Sequence, residues 1–148
     1  MSVRVSVILG RKGSDVVTIG RHATLIDALR VLAEHGIGAL VVSADGERVE
    51  GIISERDIVR CLAIDGGDAL TTTVAAAMTA DVHTCTGEAT ADDVMQTMTT
   101  YRMRHLPVVE EDRLIGLVSI GDVVKSRIDD LTTQAESMQD YISGAAPT

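Results

Sequence analysis

The chain has 148 residues, an apolar fraction of 45% and a formal net charge of −9 at pH 7. This excess of acidic residues argues against general binding to DNA or RNA, which depends on Lys and Arg neutralising phosphates, but a local basic cluster could still hold a small anion. With no Phe or Trp and two Tyr, the core has to be aliphatic, and we expect a planar ligand to be held by aliphatic edges and backbone rather than by an aromatic stack.

The first half of the chain predicts a β-α-β-β-α order behind a short apolar lead-in. Residues 5–9 are interpreted as one helical turn, although the alternating valines there also permit a strand. Thr24 is the predicted N-cap of the first long helix, with Asp27 as a weaker stand-in for the Glu of a capping box, and Gly36 ends that helix. Asp45-Gly46 predicts a hairpin turn. The predicted elements are a strand over 16–19, a helix from Thr24 to Gly36, strands over 39–42 and 49–53, and a helix from Glu55 to about Ala63.

The second half predicts the same order again. Residues 64–73 form a loose linker, and the lead-in over 74–78 matches the lead-in over 5–9. Ser119 opens the last helix. The other predicted elements are a strand over 82–85, a helix over 90–100, and hairpin strands over 106–109 and 114–118.

The tail after Asp122 is predicted to remain helical and to carry an apolar seam. The seam residues, spaced 3, 4, 3, 4, are Ile128, Leu131, Ala135, Met138 and Ile142. About two heptads fall short of a coiled-coil prediction. Two interpretations therefore stay open: a helix that packs on its own domain, and a contact between two copies of the chain.

An internal repeat accounts for this duplication of elements. Residues 24–57 return as residues 90–122, one residue shorter, and both copies end on Gly, two aliphatics, Ser, two residues and Asp, at 51–57 and 116–122. A repeat of this kind dictates the architecture. Because each copy of roughly 60 residues is marginal alone, we expect the two halves to share a buried interface around a pseudo-twofold axis.

The Ser-x-x-Asp phrase has two interpretations. Ser at a helix N-cap leaves first-turn N–H groups and the positive end of the helix dipole facing outward, where a phosphate binds readily. The Asp one turn inside could accept two hydrogen bonds from the cis-diol of a ribose. The alternative is structural, since Ser-x-x-Asp before an apolar run is a common capping arrangement. Its recurrence at matching places favours the ligand interpretation.

These features together resemble the CBS domain pair, the module named after cystathionine β-synthase. The resemblance covers roughly residues 3–130, and stretches such as HGIGALVVSADGERVEGIISERDIVR and RMRHLPVVEEDRLIGLVSIGDVV are similar to small bacterial proteins that consist of a CBS pair. It implies a mixed α/β (α+β) fold of two pseudo-symmetric β-α-β-β-α repeats packed sheet to sheet, plus a C-terminal helix. We assign residues 1–66 to CBS repeat 1 with its lead-in, 67–127 to CBS repeat 2, and 128–148 to the C-terminal helix and tail.

The family also implies two clefts that in many members bind adenosine derivatives. By this resemblance the ribose and phosphate are held by Ser54, Asp57, Ser119 and Asp122. Basic residues ahead of Pro107 line the clefts in related pairs, which makes Arg104 and His105 candidates for phosphate contact, unless they belong to a solvated turn; Arg56 adds charge from the first copy. The base would lie on Ile37 and Leu117 in one cleft and on Met103 and Ile52 in the other, with Thr18 and Thr84 at its edge, although all six also suit the core or a strand.

The two clefts are expected to be unequal. Gly38 and Ala39 stand in the first copy where Arg104 and His105 stand in the second, so the first copy brings no charge at that place. We expect the cleft of Ser119 and Asp122 to have the advantage if His105 faces it. A histidine there would also make binding depend on pH near neutrality.

The predicted function is a non-catalytic sensor of an adenine nucleotide. The ligand class is AMP, ADP, ATP, NAD, NADH or S-adenosylmethionine, and the output would pass to an unknown protein effector, with a homodimer as the expected assembly. One alternative is a structural or adaptor dimerisation module with vestigial clefts. Another is an enzyme acting on a nucleotide, for which no nucleophile, base and oxyanion constellation is found. No His or Cys spacing predicts a metal site.

The expected location is the cytoplasm. Cys61 and Cys85 stand outside any CxxC pair, which fits a reducing compartment. The opening MSVRVSVILG has too short an apolar run for a secretory leader, and no stretch approaches the roughly 18 apolar residues of a membrane span.

Overall fold

The computed structural model describes residues 2–144 and consists of two similar halves and a long C-terminal helix. In the first half the elements are α1 (Val5–Lys12), β1 (Thr18–Ile19), α2 (Leu25–His35), β2 (Ala39–Val42), β3 (Gly51–Ser54) and α3 (Glu55–Asp65). After a 3-10 helix over Gly66–Thr71 come α4 (Val74–Ala77), α5 (Ala91–Tyr101), β4 (His105–Glu110), β5 (Arg113–Ser119) and α6 (Ile120–Ile142). The predicted mixed α/β fold of two repeats and a C-terminal helix is confirmed.

Each half carries a small sheet. In the first, β1 runs parallel to β2, and β2 runs antiparallel to β3. In the second, β4 and β5 form an antiparallel hairpin. The halves touch through the hairpin loop of the first, where the Glu47 carbonyl accepts a hydrogen bond from the Leu114 N–H at 2.6 Å.

The strand predicted over residues 82–85 is wrong in extent. Only Cys85 pairs with β4: its N–H donates to the Pro107 carbonyl at 3.0 Å, and its carbonyl accepts from the Val109 N–H at 2.8 Å. Val82 and His83 leave the sheet because they line a cavity instead. The equivalent strand in the first half is likewise shorter than predicted, with Thr18 and Ile19 alone in the ladder.

The linker predicted over 64–73 is more ordered than expected. α3 continues to Asp65, and Gly66 then takes a positive φ of 63° and starts the 3-10 helix. Ala69 within that helix is fully buried. The segment therefore packs on its own half instead of forming a loose connection.

Each lead-in helix packs into the opposite half of the molecule. Val5, Ile8 and Leu9 of α1 join the core of the second half, and the Val5 N–H donates to the Ala89 carbonyl at 2.8 Å. Val74 of α4 joins the core of the first half, and its N–H donates to the Ala23 carbonyl at 2.8 Å. The lead-ins are helical as predicted, although α1 has two turns and not one. The boundaries at 1–66 and 67–127 follow the chain and stay a prediction, but the cores do not divide there.

This exchange explains the Gly in the repeated Gly-aliphatic-aliphatic-Ser phrase. A Cβ on Gly51 would lie 2.5 Å from the Met78 sulfur and 2.9 Å from the Thr79 carbonyl oxygen. A Cβ on Gly116 would lie 2.6 Å from Leu9 Cδ2. Leu9 and Met78 are the matching residues of the two lead-ins. Only Gly lets each lead-in cross this close to the strand of the other half.

The C-terminal helix α6 is continuous from Ile120 to Ile142, as predicted. The exposed fractions of its seam residues are 56% at Ile128, 51% at Leu131, 68% at Met138 and 80% at Ile142. The start of α6 packs on its own domain through Val123 and Ser126, but the interpretation that the seam packs there is wrong. Of the predicted segment 128–148, residues 145–148 lie outside the described residues. Among residues 2–144, no helix combines the length and apolar character needed to cross a membrane.

Candidate functional site

The two Ser-x-x-Asp phrases sit at equivalent strand-to-helix turns. Ser54 is the N-cap of α3, and its N–H and Oγ donate to Asp57 Oδ2 at 2.9 and 3.1 Å. Ser119 is the N-cap of α6, and its N–H donates to Asp122 Oδ2 at 2.8 Å. Both form complete capping boxes. In both copies the Ser-x-x-Asp phrase therefore caps a helix.

Capping alone does not separate these turns from the rest of the fold. Thr24 with Asp27 and Thr90 with Asp93 form the same reciprocal boxes at the starts of α2 and α5. The difference is position, because the Ser54 and Ser119 turns border cavities and these Thr turns do not. Location at a cavity, rather than the motif, marks the two Ser turns as candidate sites.

The larger cavity, called here the Ser54 cleft, has a volume of about 420 Å³. Its walls come from both halves of the molecule, with α3 on one side and the segment ahead of β4 on the other. The predicted site residues that line it are Ile52, Ser54, Arg56, Asp57, Met103, Arg104 and His105. The structure thus brings together residues from both copies of the repeat at one helix N-terminus.

The Ser54 cleft is rich in cations. Four of the 13 Lys and Arg residues of the chain line it, against three acidic residues. The arginines are Arg56, Arg60, Arg102 and Arg104, and the acids are Glu55, Asp57 and Asp81. Arg60, which is exposed, lies 3.7 Å from Oδ1 of the largely buried Asp57, a distance longer than that of a charge-assisted hydrogen bond, so the pair is weak. The cleft is a local basic region on an acidic protein.

Arg102 lines this cleft with a backbone conformation that non-glycine residues rarely adopt. It takes the left-handed conformation at φ 54° at the C-cap of α5, where the first half has Gly36 at φ 61°. A non-glycine residue in this region costs roughly 1–2 kcal/mol. An arginine where glycine would be easier is consistent with a use for the guanidinium.

Sequence reasoning missed several residues of this lining, among them Arg60, Asp81, His83 and Tyr101. Arg60 follows Arg56 by one helical turn, a spacing that could have revealed it, and Asp81 had no signal. His83 and Tyr101 stack on each other with ring centroids 3.7 Å apart and an interplanar angle of 21°. The expectation that no aromatic stack would be available is thus wrong for this wall, because the fold joins two rings that are 18 positions apart.

The second cavity, called here the Ser119 cleft, is smaller, at about 310 Å³. Four predicted site residues line it: Ile37, His105, Leu117 and Ser119. Asp122 does not line this cavity, since its carboxylate is held by Lys12. Thr18 and Thr84 line neither cleft; their chain neighbours Val17 and His83 do so instead.

His105 borders both cavities, and Arg104 lines the Ser54 cleft. The expectation that the Ser119 cleft has the advantage if His105 faces it therefore stays a prediction: His105 borders both clefts, whereas of these two clefts Arg104 lines only the Ser54 cleft. Burial lowers the pKa of His105 below its usual 6.5, with the nearby Asp122 carboxylate acting weakly in the opposite sense.

The Asp122 carboxyl group shows opposing influences. Burial acts to raise its pKa, but hydrogen bonds from Lys12 and Ser119 outweigh this and leave the pKa below its usual value. This carboxylate is thus ionised at neutral pH and already has a cationic partner.

Comparison with known proteins identifies the family. The CBS domain model matches residues 12–64 and 74–129. A CBS-domain containing protein from Agrobacterium tumefaciens has 47% sequence identity and a TM-score of 0.82, covering 86% of this chain and 95% of its own. The CBS domain pair of protein MJ0100, solved in complex with 5′-methylthioadenosine and S-adenosyl-L-methionine, has 25% identity and a TM-score of 0.75, covering 84% of this chain and 95% of its own.

Among curated relatives, the mitochondrial CBS domain-containing protein CBSX3 of Arabidopsis thaliana is 38% identical over 125 residues. The match covers 82% of this chain and 61% of that relative, so the chain spans less than two thirds of it. The family model matches both copies of the repeat, and the similar structures superpose on both halves. The chain therefore belongs to the CBS-domain family, as a tandem pair of CBS domains.

Proposed function

We propose that this protein is a non-catalytic regulatory module that binds an adenine nucleotide of the AMP, ADP, ATP or NAD type in the Ser54 cleft. The observation that carries the proposal is the joining of four arginines, a helix N-terminus and the Asp57 carboxylate in one cavity shared by both repeats. We infer that it acts in the cytoplasm, as its unpaired cysteines suggest, as an energy or redox sensor that works through a partner protein.

The parts of a nucleotide match the parts of this cleft. The N-terminus of α3 offers N–H groups and a positive dipole to a phosphate. Asp57 is held by Ser54 through Oδ2, and its Oδ1 faces only the distant Arg60, so the carboxylate still has capacity for the hydroxyl groups of a ribose. Ile52 and Met103 provide apolar surface for the base.

The charge of the cleft favours a ligand that carries phosphate. S-adenosylmethionine brings a sulfonium and an ammonium beside a single carboxylate, so it is cationic overall, whereas the phosphates of a nucleotide are anionic and pair with guanidinium groups through bidentate hydrogen bonds. The S-adenosyl-L-methionine complex of MJ0100 supports the adenosyl class of ligand. Within that class, the four arginines favour a nucleotide as the ligand of this chain.

Both repeats contribute to the cleft, so a bound nucleotide would bridge them. A ligand can shift a conformational equilibrium only by its differential affinity for the two states. The exposed apolar seam on α6 is a surface through which a homodimer or a protein effector could sense such a shift. We infer that the homodimer and the effector contact lie on this face.

A second candidate is a structural or adaptor dimerisation module with vestigial clefts. The observation that favours it is Lys12, which lines the Ser119 cleft and whose ammonium group already pairs with Asp122. The exposed seam would serve such a module equally well. This candidate requires that the Ser54 cleft be unoccupied at cellular nucleotide concentrations.

Thermal unfolding of the purified protein tests the two candidates against each other. The ligands are AMP, ADP, ATP, NAD, NADH and S-adenosylmethionine, with adenosine and GTP as controls. A nucleotide at 100 times its Kd should add about 2.7 kcal/mol of stability, which raises Tm by roughly 5–10 °C for a chain of this size. If none of these ligands raises Tm at millimolar concentration, the result favours the adaptor module over the nucleotide sensor.

The ligand-free protein should lose stability as the pH falls from 7.5 to 5.5, and His105 should be one cause. Its pKa is lowered in the folded state, so the unfolded chain binds more protons around pH 6.5 and stability falls with pH through that region. Chemical denaturation across this range measures the effect. His105→Gln should flatten the slope.

A phosphate bound beside His105 should reverse part of this trend, because the anion favours the imidazolium. Binding of ADP should therefore involve proton uptake below pH 6.5, seen as a dependence of binding heat on buffer ionisation enthalpy. His35→Gln is the matched control, since this exposed histidine ends α2 and lines neither cleft. If binding heat depends on buffer ionisation enthalpy equally in the wild type and in His105→Gln, His105 is not the group that takes up the proton.

A further inference from the structure

The lead-in of the first repeat carries an extra helical turn that the second repeat lacks. α1 has eight residues and α4 has four. Between the matching residues Leu9 and Met78 and the matching Val16 and Val82, the first repeat has residues 10–15, and the second has only residues 79–81. The insertion contains Lys12, and the second repeat has no counterpart to it.

The extra turn places Lys12 on the Asp122 carboxylate of the opposite repeat. Lys12 Nζ donates to Asp122 Oδ2 at 2.6 Å and to the Leu117 carbonyl oxygen at 2.9 Å. The side chains are partly buried, with exposed fractions of 37% for Lys12 and 21% for Asp122. This is the shortest of the ion pairs found among the described residues.

The equivalent carboxylate in the Ser54 cleft has no such partner. Asp57 lines its cavity, and its nearest cation, Arg60, stays 3.7 Å from Oδ1. Asp122 lies outside the lining of the Ser119 cleft, while Lys12 lines both that cleft and a small cavity of about 100 Å³ on the far side, which Asp122 also borders. Of this ion pair, it is therefore the lysine that lines the Ser119 cleft.

We propose that Lys12 is an intramolecular competitor for Asp122 and thereby sets how many nucleotides one chain binds. The inference rests on the proposed function of the Ser54 cleft. A ribose diol would have to displace an ammonium group that makes two charge-assisted hydrogen bonds. The wild-type chain accordingly takes one nucleotide, in the Ser54 cleft, and Lys12 keeps the Ser119 cleft closed to a second.

Titration calorimetry with AMP and with ATP on the full chain tests this. Wild type should bind one equivalent per chain. Lys12→Gln should show a second equivalent, about tenfold or more tighter than any second event in the wild type, given the usual strength of a partly exposed ion pair with charged hydrogen bonds. Arg11→Gln is the matched control, since it removes the same charge from the same turn, and no hydrogen bond or ion pair joins Arg11 to Asp122 among the described residues.

A second background isolates the Ser119 cleft. Asp57→Asn should bind no nucleotide, whereas Asp57→Asn with Lys12→Gln should bind one. The role of Lys12 would be overturned by a second equivalent that binds the wild type as tightly as it binds Lys12→Gln. It would also be overturned if Lys12→Gln bound one equivalent and no second. If Arg11→Gln also bound a second equivalent, the proposed role of Lys12 would be overturned, because the loss of one positive charge would then explain the second site. If neither nucleotide binds to any variant, the proposed function fails, and the competitor role fails with it.

Discussion

Asp57→Asn should weaken AMP binding by at least about 100-fold while leaving the fold intact. Hydrogen bonds to a charged group contribute roughly 1.5–3 kcal/mol each, and the ribose diol would lose two that reach the carboxylate. The Asn side chain keeps an oxygen that can still accept from Ser54 at the turn, so the start of α3 should persist. Calorimetric titration of the variant beside the wild type measures the change.

The fold offers a close control in Asp93→Asn. Asp93 forms the same capping box with Thr90 at the start of α5, where the Thr90 N–H donates to its Oδ2 at 3.0 Å, yet it lines neither cleft. Both variants should show similar small decreases in Tm, and only Asp57→Asn should lose AMP. If both bind AMP as the wild type does, the Ser-x-x-Asp phrase in the first repeat is a helix cap and no more.

This pairing separates two functions that one motif combines. All four boxes satisfy N–H groups at helix starts, and nothing in the Thr24 and Thr90 boxes suggests a ligand. In the two Ser boxes the cap also orients a carboxylate beside a cavity. The cap is therefore the local reason for the motif, and the cavity, which needs both repeats, is the reason to expect a ligand there.

The repeat, the hairpins and the caps were predictable because they depend on short-range patterns. Thr24 and Asp27 form the box that their spacing predicts, and Gly36 ends α2 in the left-handed conformation expected of a C-cap glycine. The resemblance to a CBS pair also grouped Ile37 with Leu117 and Met103 with Ile52, and each pair lines one cavity. The caps follow from residues close together in the sequence, and the residue pairs follow from aligning the two copies of the repeat.

Contacts between distant segments were not predictable in the same way. Lys12 reaches a carboxylate 110 positions away, and His83 meets Tyr101 only because residues 82 and 83 leave the sheet. The copies look alike along the chain, yet a three-residue difference in their lead-ins makes the clefts unequal. Small insertions of this kind change charge at a site without altering any motif.

The exchange of lead-in helices makes a second strong prediction, which concerns stability. Ile8→Ala should destabilise the second half of the molecule, although residue 8 precedes the whole first repeat. Ile8 is 4% exposed and packs with Val94, Met98 and Val118 of the second core. Truncation of a buried Ile to Ala costs about 2–5 kcal/mol. Hydrogen exchange should therefore accelerate first in α5, β4 and β5, and less in β1, β2 and β3.

Two further variants serve as controls for the hydrogen-exchange pattern of Ile8→Ala. Val7→Ala removes a side chain that is 41% exposed on the same helix, and should leave both halves protected. Leu25→Ala removes a fully buried side chain of the first core and should accelerate exchange in β2 and β3 instead. If Ile8→Ala opened β1 to β3 first, the crossed packing of α1 would be wrong. The expected pattern would mean that neither repeat completes its core from its own half of the chain, because each needs the lead-in helix of the other.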